Sequence, residues 1–202
     1  MTLFCEASNA AISHCDLFGF VLRELYPKAR YLYIYRNVIN VAKSSARMSN
    51  VGPSMLRYMQ LMYPKLMNDW MGYGGTDYTD AHFDNFLTWA AARALATMKA
   101  YVDFRRQGFD IKGVRYEDLV THPLETCQRL MEACGFPESL AEKAVRGMQD
   151  DSQKKTKISR ERMKKFRDAE VTTDIIESMN MYAAKYDLPP VNEECILEGT
   201  MA

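Results

Sequence analysis

The stretch Tyr31-Leu32-Tyr33-Ile34-Tyr35-Arg36-Asn37-Val38-Ile39-Asn40-Val41-Ala42-Lys43-Ser44 decides how the rest of the chain is read. Its first half is aromatic and β-branched, with Pro27 before it and Asn37 after it, the pattern of a buried strand. Asn37 can then cap a helix that runs to about Met48. Upstream, apolar residues at 17, 18, 21, 22 and 25 form a helical stripe over Asp16 to Tyr26 that Pro27 ends. Residues 16–48 therefore read helix–strand–helix, and Leu3-Phe4-Cys5 reads as the tail of another strand.

Downstream, Gly52-Pro53 breaks the chain, 54–70 has a helical pattern and 72–77 is a Gly-rich loop. His82 to Arg106 is a long amphipathic helix with Phe86, Ala90, Leu95, Met98 and Val102 inward, stopped by Gly108. A short strand lies within 109–116. Thr121-His122-Pro123 opens a helix with proline in its first turn, and Gly135 closes it. Glu138 to Met148 and Thr172 to Tyr186 are further helices, separated by a basic, polar run from Ser152 to Arg167. Strands alternating with helices predict an α/β fold on a parallel sheet. Few strands are visible for so many helices, so the sheet is expected to be short and incomplete. Residues 1–188 read as one domain and 189–202 as a flexible tail.

Composition narrows the function. The 202 residues carry 26 Lys plus Arg and 26 Asp plus Glu, a net charge of zero. That excludes binding of nucleic acid through bulk charge, although a local basic pocket is compatible with it. No apolar run approaches the roughly 20 residues of a membrane-spanning helix. The N-terminus lacks a basic start and apolar stretch, which makes the cytoplasm the default location. Five cysteines, an odd number with no Cys-x-x-Cys pair, predict neither a disulfide framework nor a metal site. Cys127 and Cys134 read as reduced core residues.

The chemistry concentrates at the end of the first strand. Asn37, Asn40 or Val41, and Ser44 share one helix face. Arg36 and Ser44 can then converge at the carboxyl edge of the sheet, where open α/β sheets bind ligands. A guanidinium gives a phosphate two parallel charge-assisted bonds, and a hydroxyl adds a third. The same spacing also suits an arginine paired with a local carboxylate and a serine on a wet helix face.

The segment 33–44 resembles the phosphate-binding strand–helix of the sulfotransferases that use 3′-phosphoadenylyl sulfate. The resemblance implies that Arg36 and Ser44 hold the 3′-phosphate of that nucleotide, or of its product adenosine 3′,5′-bisphosphate. Leu25-Tyr26-Pro27-Lys28-Ala29-Arg30-Tyr31 is similar to the family's approach to this strand. Val114-Arg115-Tyr116-Glu117-Asp118-Leu119, followed by Pro123 and the helix to Gly135, resembles the family's Tyr-Glu-Asp strand end and implies that Tyr116 lies against the adenine. The lysines after Ser152 resemble a late basic loop that closes on the same phosphate, with Lys154 and Lys155 the matching candidates. The resemblance spans about 3–165 and implies a three-layer fold like that of the P-loop NTPases.

One part of the family pattern is missing from the sequence. The Pro-Lys-Ser-Gly-Thr loop that surrounds the 5′-phosphosulfate has no counterpart, and Tyr26-Pro27-Lys28-Ala29 and Tyr63-Pro64-Lys65-Leu66 lack its glycine. The chain is expected to begin after that element. Sulfuryl transfer needs electrostatic clamps on the moving group, so two expectations stand together. One is a sulfotransferase, complete or truncated, acting on a hydroxyl or amine of a small molecule or glycan. The other is a non-catalytic nucleotide-binding or interaction module derived from such an enzyme. Glu6 and His14 are the candidates for the base, Glu6 by position and His14 by its ordinary pKa. A small-molecule kinase would require Gly-x-x-x-x-Gly-Lys, which does not occur.

Overall fold

The computed structural model describes residues 24–48, 86–149, 161, 169–192 and 194–201. The expected strand at 3–5, most of the helix over 16–26, the readings at 49–85 and the basic run at 152–160 lie outside the described residues. Among those residues the element order is β1 (Tyr31–Tyr35), α1 (Val38–Met48), α2 (Phe86–Arg106), β2 (Ile111–Arg115), α3 (Tyr116–Thr121), α4 (Pro123–Cys134), α5 (Ala141–Gln149) and α6 (Thr173–Lys185), with a single 3-10 turn at Glu138–Leu140. The fold is α/β.

The two strands are parallel and paired in register from Tyr31 opposite Ile111 to Tyr35 opposite Arg115. Both strands therefore end at the same level, with Arg36 leaving β1 where Tyr116 leaves β2. Successive side chains of a strand point to opposite faces, and the core divides accordingly. Tyr33 and Tyr35 join a cluster with Val38, Ala42 and the buried residues of α2 and α6. Leu32 and Val114 join a second cluster with Leu119, Cys127, Cys134 and Ala141. Helices cover both faces of the sheet, the condition under which parallel strands are found.

Helix α2 is the hub of the larger cluster. Of its 21 residues, 12 are buried and six of those are alanines. Such short side chains let α1, α6 and the sheet pack on it from different sides. The residues expected inward behave so: Ala90, Leu95 and Met98 are buried, and Phe86 and Val102 pack at the margin of the core. The predicted stops are also in place, since Gly108 and Gly135 take left-handed backbone at φ 80° and 72°. Cys127 and Cys134 are free and buried, and burial pushes both thiols up.

The sequence reading leaves the chain loose after Pro189, whereas the structure runs it back along the sheet. Thr200 forms a parallel bridge with Gly113. The Gly113 amide donates to the Gly199 carbonyl at 3.0 Å, and the Met201 amide donates to the Gly113 carbonyl at 2.9 Å. Tyr35 accepts a bond from the Leu197 amide at 3.1 Å and shares one with the Thr200 hydroxyl at 2.7 Å. Tyr101 donates to the Glu198 carbonyl at 2.8 Å. Residues 194–201 thus form a strap on the edge of β2 away from β1. Gly113 makes room for it, since a Cβ there would lie 2.8 Å from the Tyr101 hydroxyl and 3.1 Å from that of Thr200.

Candidate functional site

The carboxyl edge of the sheet opens into a cavity of about 430 Å³ lined by Tyr35, Arg36, Asn37, Asn40, Arg115, Glu117, Asn192, Glu194 and Cys195. Three segments build it: the β1-to-α1 turn, the β2-to-α3 turn and the start of the strap. The first is shaped by Asn37, whose side-chain oxygen accepts from the Asn40 amide at 3.2 Å. That bond caps α1 and leaves the positive end of the helix beside Arg36.

Arg36 lies over the ring of Tyr116, 4.9 Å from its centroid. A guanidinium above an aromatic face is held by the ring quadrupole. The Arg36 Nε is 4.0 Å from Glu117 Oε1, too far for a hydrogen bond. Glu117 Oε1 instead accepts the Asn37 amide at 3.0 Å. In this wall two buried side-chain atoms, Arg36 Nε and Glu117 Oε2, make no hydrogen bond. Unsatisfied buried groups of this kind are costly and mark sites where a ligand or water completes the arrangement.

Arg115 is the second cation of the wall. Its Nε and Nη2 donate to Asp118 Oδ1 at 3.1 and 2.7 Å, and its Nη1 donates to Glu194 of the strap. These bonds, that to Glu194 first, push the guanidinium above its ordinary value. Cys195 stands beside it, and burial raises its thiol more than the nearby Arg115 lowers it.

Of the residues singled out by sequence, the structure brings Arg36 and Tyr116 into direct contact. Ser44 is half-buried on α1, one helical turn beyond Asn40 on the same face, and is not among the residues that line the cavity. The local carboxylate partner that the spacing left open for Arg36 exists, and it is Glu117. Glu6, His14, Lys154 and Lys155 lie outside the described residues. Sequence reasoning missed Arg115, Asn192, Glu194 and Cys195. Arg115 had a signal, since it ends the second strand as Tyr35 ends the first; Glu194 and Cys195 reach the cavity through the strap, and Asn192 from just before it.

A second cleft of about 380 Å³ lies at the amino edge, beside Arg30, Tyr31, Asp110 and Lys112. Its cations are engaged: Lys112 pairs with Asp110 at 3.1 Å and Arg30 donates to the Ala133 carbonyl at 2.5 Å. The carboxyl-edge cavity is the better site, because it has the helix start, the converging donors and the unsatisfied atoms.

Among the described residues no cluster of three or more His, Cys, Asp or Glu could hold a metal ion, and no helix is long and apolar enough to cross a membrane. No curated protein and no solved structure matches the chain. A family model described as "Sulfotransferase family" matches residues 8–142, more than half of the chain, and the chain belongs to that family.

Proposed function

We propose that this member of the sulfotransferase family binds 3′-phosphoadenylyl sulfate at the carboxyl edge of its sheet and transfers the sulfuryl group to a hydroxyl or amine of a small molecule or glycan. Arg36 holds the 3′-phosphate and Ser44, one helical turn beyond the cavity wall, reaches it from α1, Tyr116 lies against the adenine, and Lys154 and Lys155 close over the phosphate. Glu6 or His14 removes the acceptor proton. The fold in this reading is the three-layer P-loop-NTPase-like type, one domain that extends past residue 188 to include the strap, and the setting is cytoplasmic.

The observation that carries the reading is Arg36. It stands where β1 gives way to a capped helix, with one buried nitrogen unsatisfied and Tyr116 beneath it. A phosphate there would gain the guanidinium, the side-chain amides of Asn37 and Asn40, and the positive end of α1. The nucleotide supplies the activated sulfuryl group; this chain supplies orientation and charge.

Arg36→Ala should weaken binding of adenosine 3′,5′-bisphosphate by about 1.5–3 kcal/mol, the usual loss for a hydrogen bond to a charged group. Titration calorimetry measures this, and an unchanged Kd would remove the site. A second reading is a nucleotide-binding module without turnover, in which no Pro-Lys-Ser-Gly-Thr loop clamps the sulfuryl group; residues 1–202 contain none. A sulfate-transfer assay beside the calorimetry separates the two, since binding without turnover supports the module and turnover refutes it.

A further inference from the structure

The cavity holds two guanidinium groups, and only Arg36 has a role in the reading above. Arg115 lines the same wall, and two different acceptors divide its donors. Asp118 is a local partner three residues on, with its side chain 27% exposed, whereas Glu194 comes from the strap and is 68% exposed. An ion pair open to water on one side is weak. A phosphate offers more charge and more acceptor oxygens than a carboxylate.

The strap does not depend on Glu194 for its place. Backbone bonds to Gly113 and side-chain bonds from Tyr35 and Tyr101 hold residues 197–201. The Glu194 carboxylate can therefore swing away while the strap stays seated. Its release would leave Arg115 Nη1 free at the wall that also carries Arg36.

The geometry points to Arg115 as a second anion-binding arginine of the cavity and to Glu194 as its displaceable counter-ion, so that a ligand phosphate and the strap carboxylate compete for one guanidinium. This rests on the reading that the cavity takes the nucleotide phosphate. Glu194 keeps the second cation occupied until a ligand displaces it.

The test is calorimetric titration of adenosine 3′,5′-bisphosphate into the full chain, its Glu194→Gln variant, its Arg115→Met variant and the double variant. Glu194 is exposed, so the glutamine variant is expected to fold, and a thermal melt checks this. Glu194→Gln should tighten binding about threefold, the scale of an exposed pair, and this gain should vanish in the Arg115→Met background. Equal Kd for the parent and Glu194→Gln, with binding still weakened in Arg36→Ala, overturns the competition and leaves the site standing. A gain that persists undiminished without Arg115 overturns the assignment to Arg115. Binding to neither parent nor Glu194→Gln overturns the nucleotide reading and the competition together.

Discussion

Tyr33, Tyr35 and Tyr101 tie the strand to the strap and to α2. Tyr33 stacks on Tyr101 at 4.8 Å and bonds Thr97 at 2.9 Å. Burial is the main cause that pushes all three phenols up, Tyr101 to about 12. A phenol whose folded pKa exceeds its unfolded pKa favours the folded state only while it is protonated. The unfolded chain ionises near pH 10 and the native chain later, so stability is fully present below about pH 10 and falls as pH rises through the folded values. Denaturant midpoints measured from pH 8 upward should decline gently once the unfolded thiols ionise at about pH 8.5 while burial keeps Cys127, Cys134 and Cys195 protonated, and should drop more steeply above about pH 10. Ionisation of these phenols, followed by ultraviolet absorbance, should coincide with unfolding.

At the scale of elements, two glycines with similar backbone separate two costs. Gly108 has φ 80° and open space where a Cβ would go; Gly199 has φ 77° and the Arg105 guanidinium in that place. Gly108→Ala should cost about 1 kcal/mol, the strain of left-handed backbone alone. Gly199→Ala should cost more, about 2–3 kcal/mol, because Arg105 must also surrender its 2.7 Å bond to the Ile111 carbonyl. Urea titration compares them, and amide exchange at Met201 should quicken only in the second variant. The elements also show what was legible in the sequence. β1, the Asn37 cap, the proline start of α4 and its Gly135 stop all rest on neighbouring residues, so a local pattern reveals them. Helix α3 was hidden because it starts directly from the strand, with Arg115 at the cap position making no capping bond. The strap was hidden because its anchors are remote: Leu197 meets Tyr35 162 residues away in sequence. The site divides the same way. Arg36 and Tyr116 each belong to a motif, whereas the pairing of Arg36 with Glu117 and of Arg115 with Glu194 exists only once the strands are in register.

For the molecule as a whole, a ligand that binds only the folded chain raises its stability by mass action. At a hundred times Kd, adenosine 3′,5′-bisphosphate should add about 2.7 kcal/mol, or roughly 5–10 °C in Tm for a chain of this size. Thermal melts with and without the nucleotide measure this, and the shift should shrink in Arg36→Ala. The cavity draws its wall from residues 35, 36, 37 and 40, from 115 and 117, and from 192, 194 and 195, so it belongs to no single stretch of chain. Synthesis proceeds from the N-terminus, so β1, α1 and β2 are all made before Asn192, Glu194 and Cys195. Until those residues emerge, the pocket lacks one wall and two arginines face a gap.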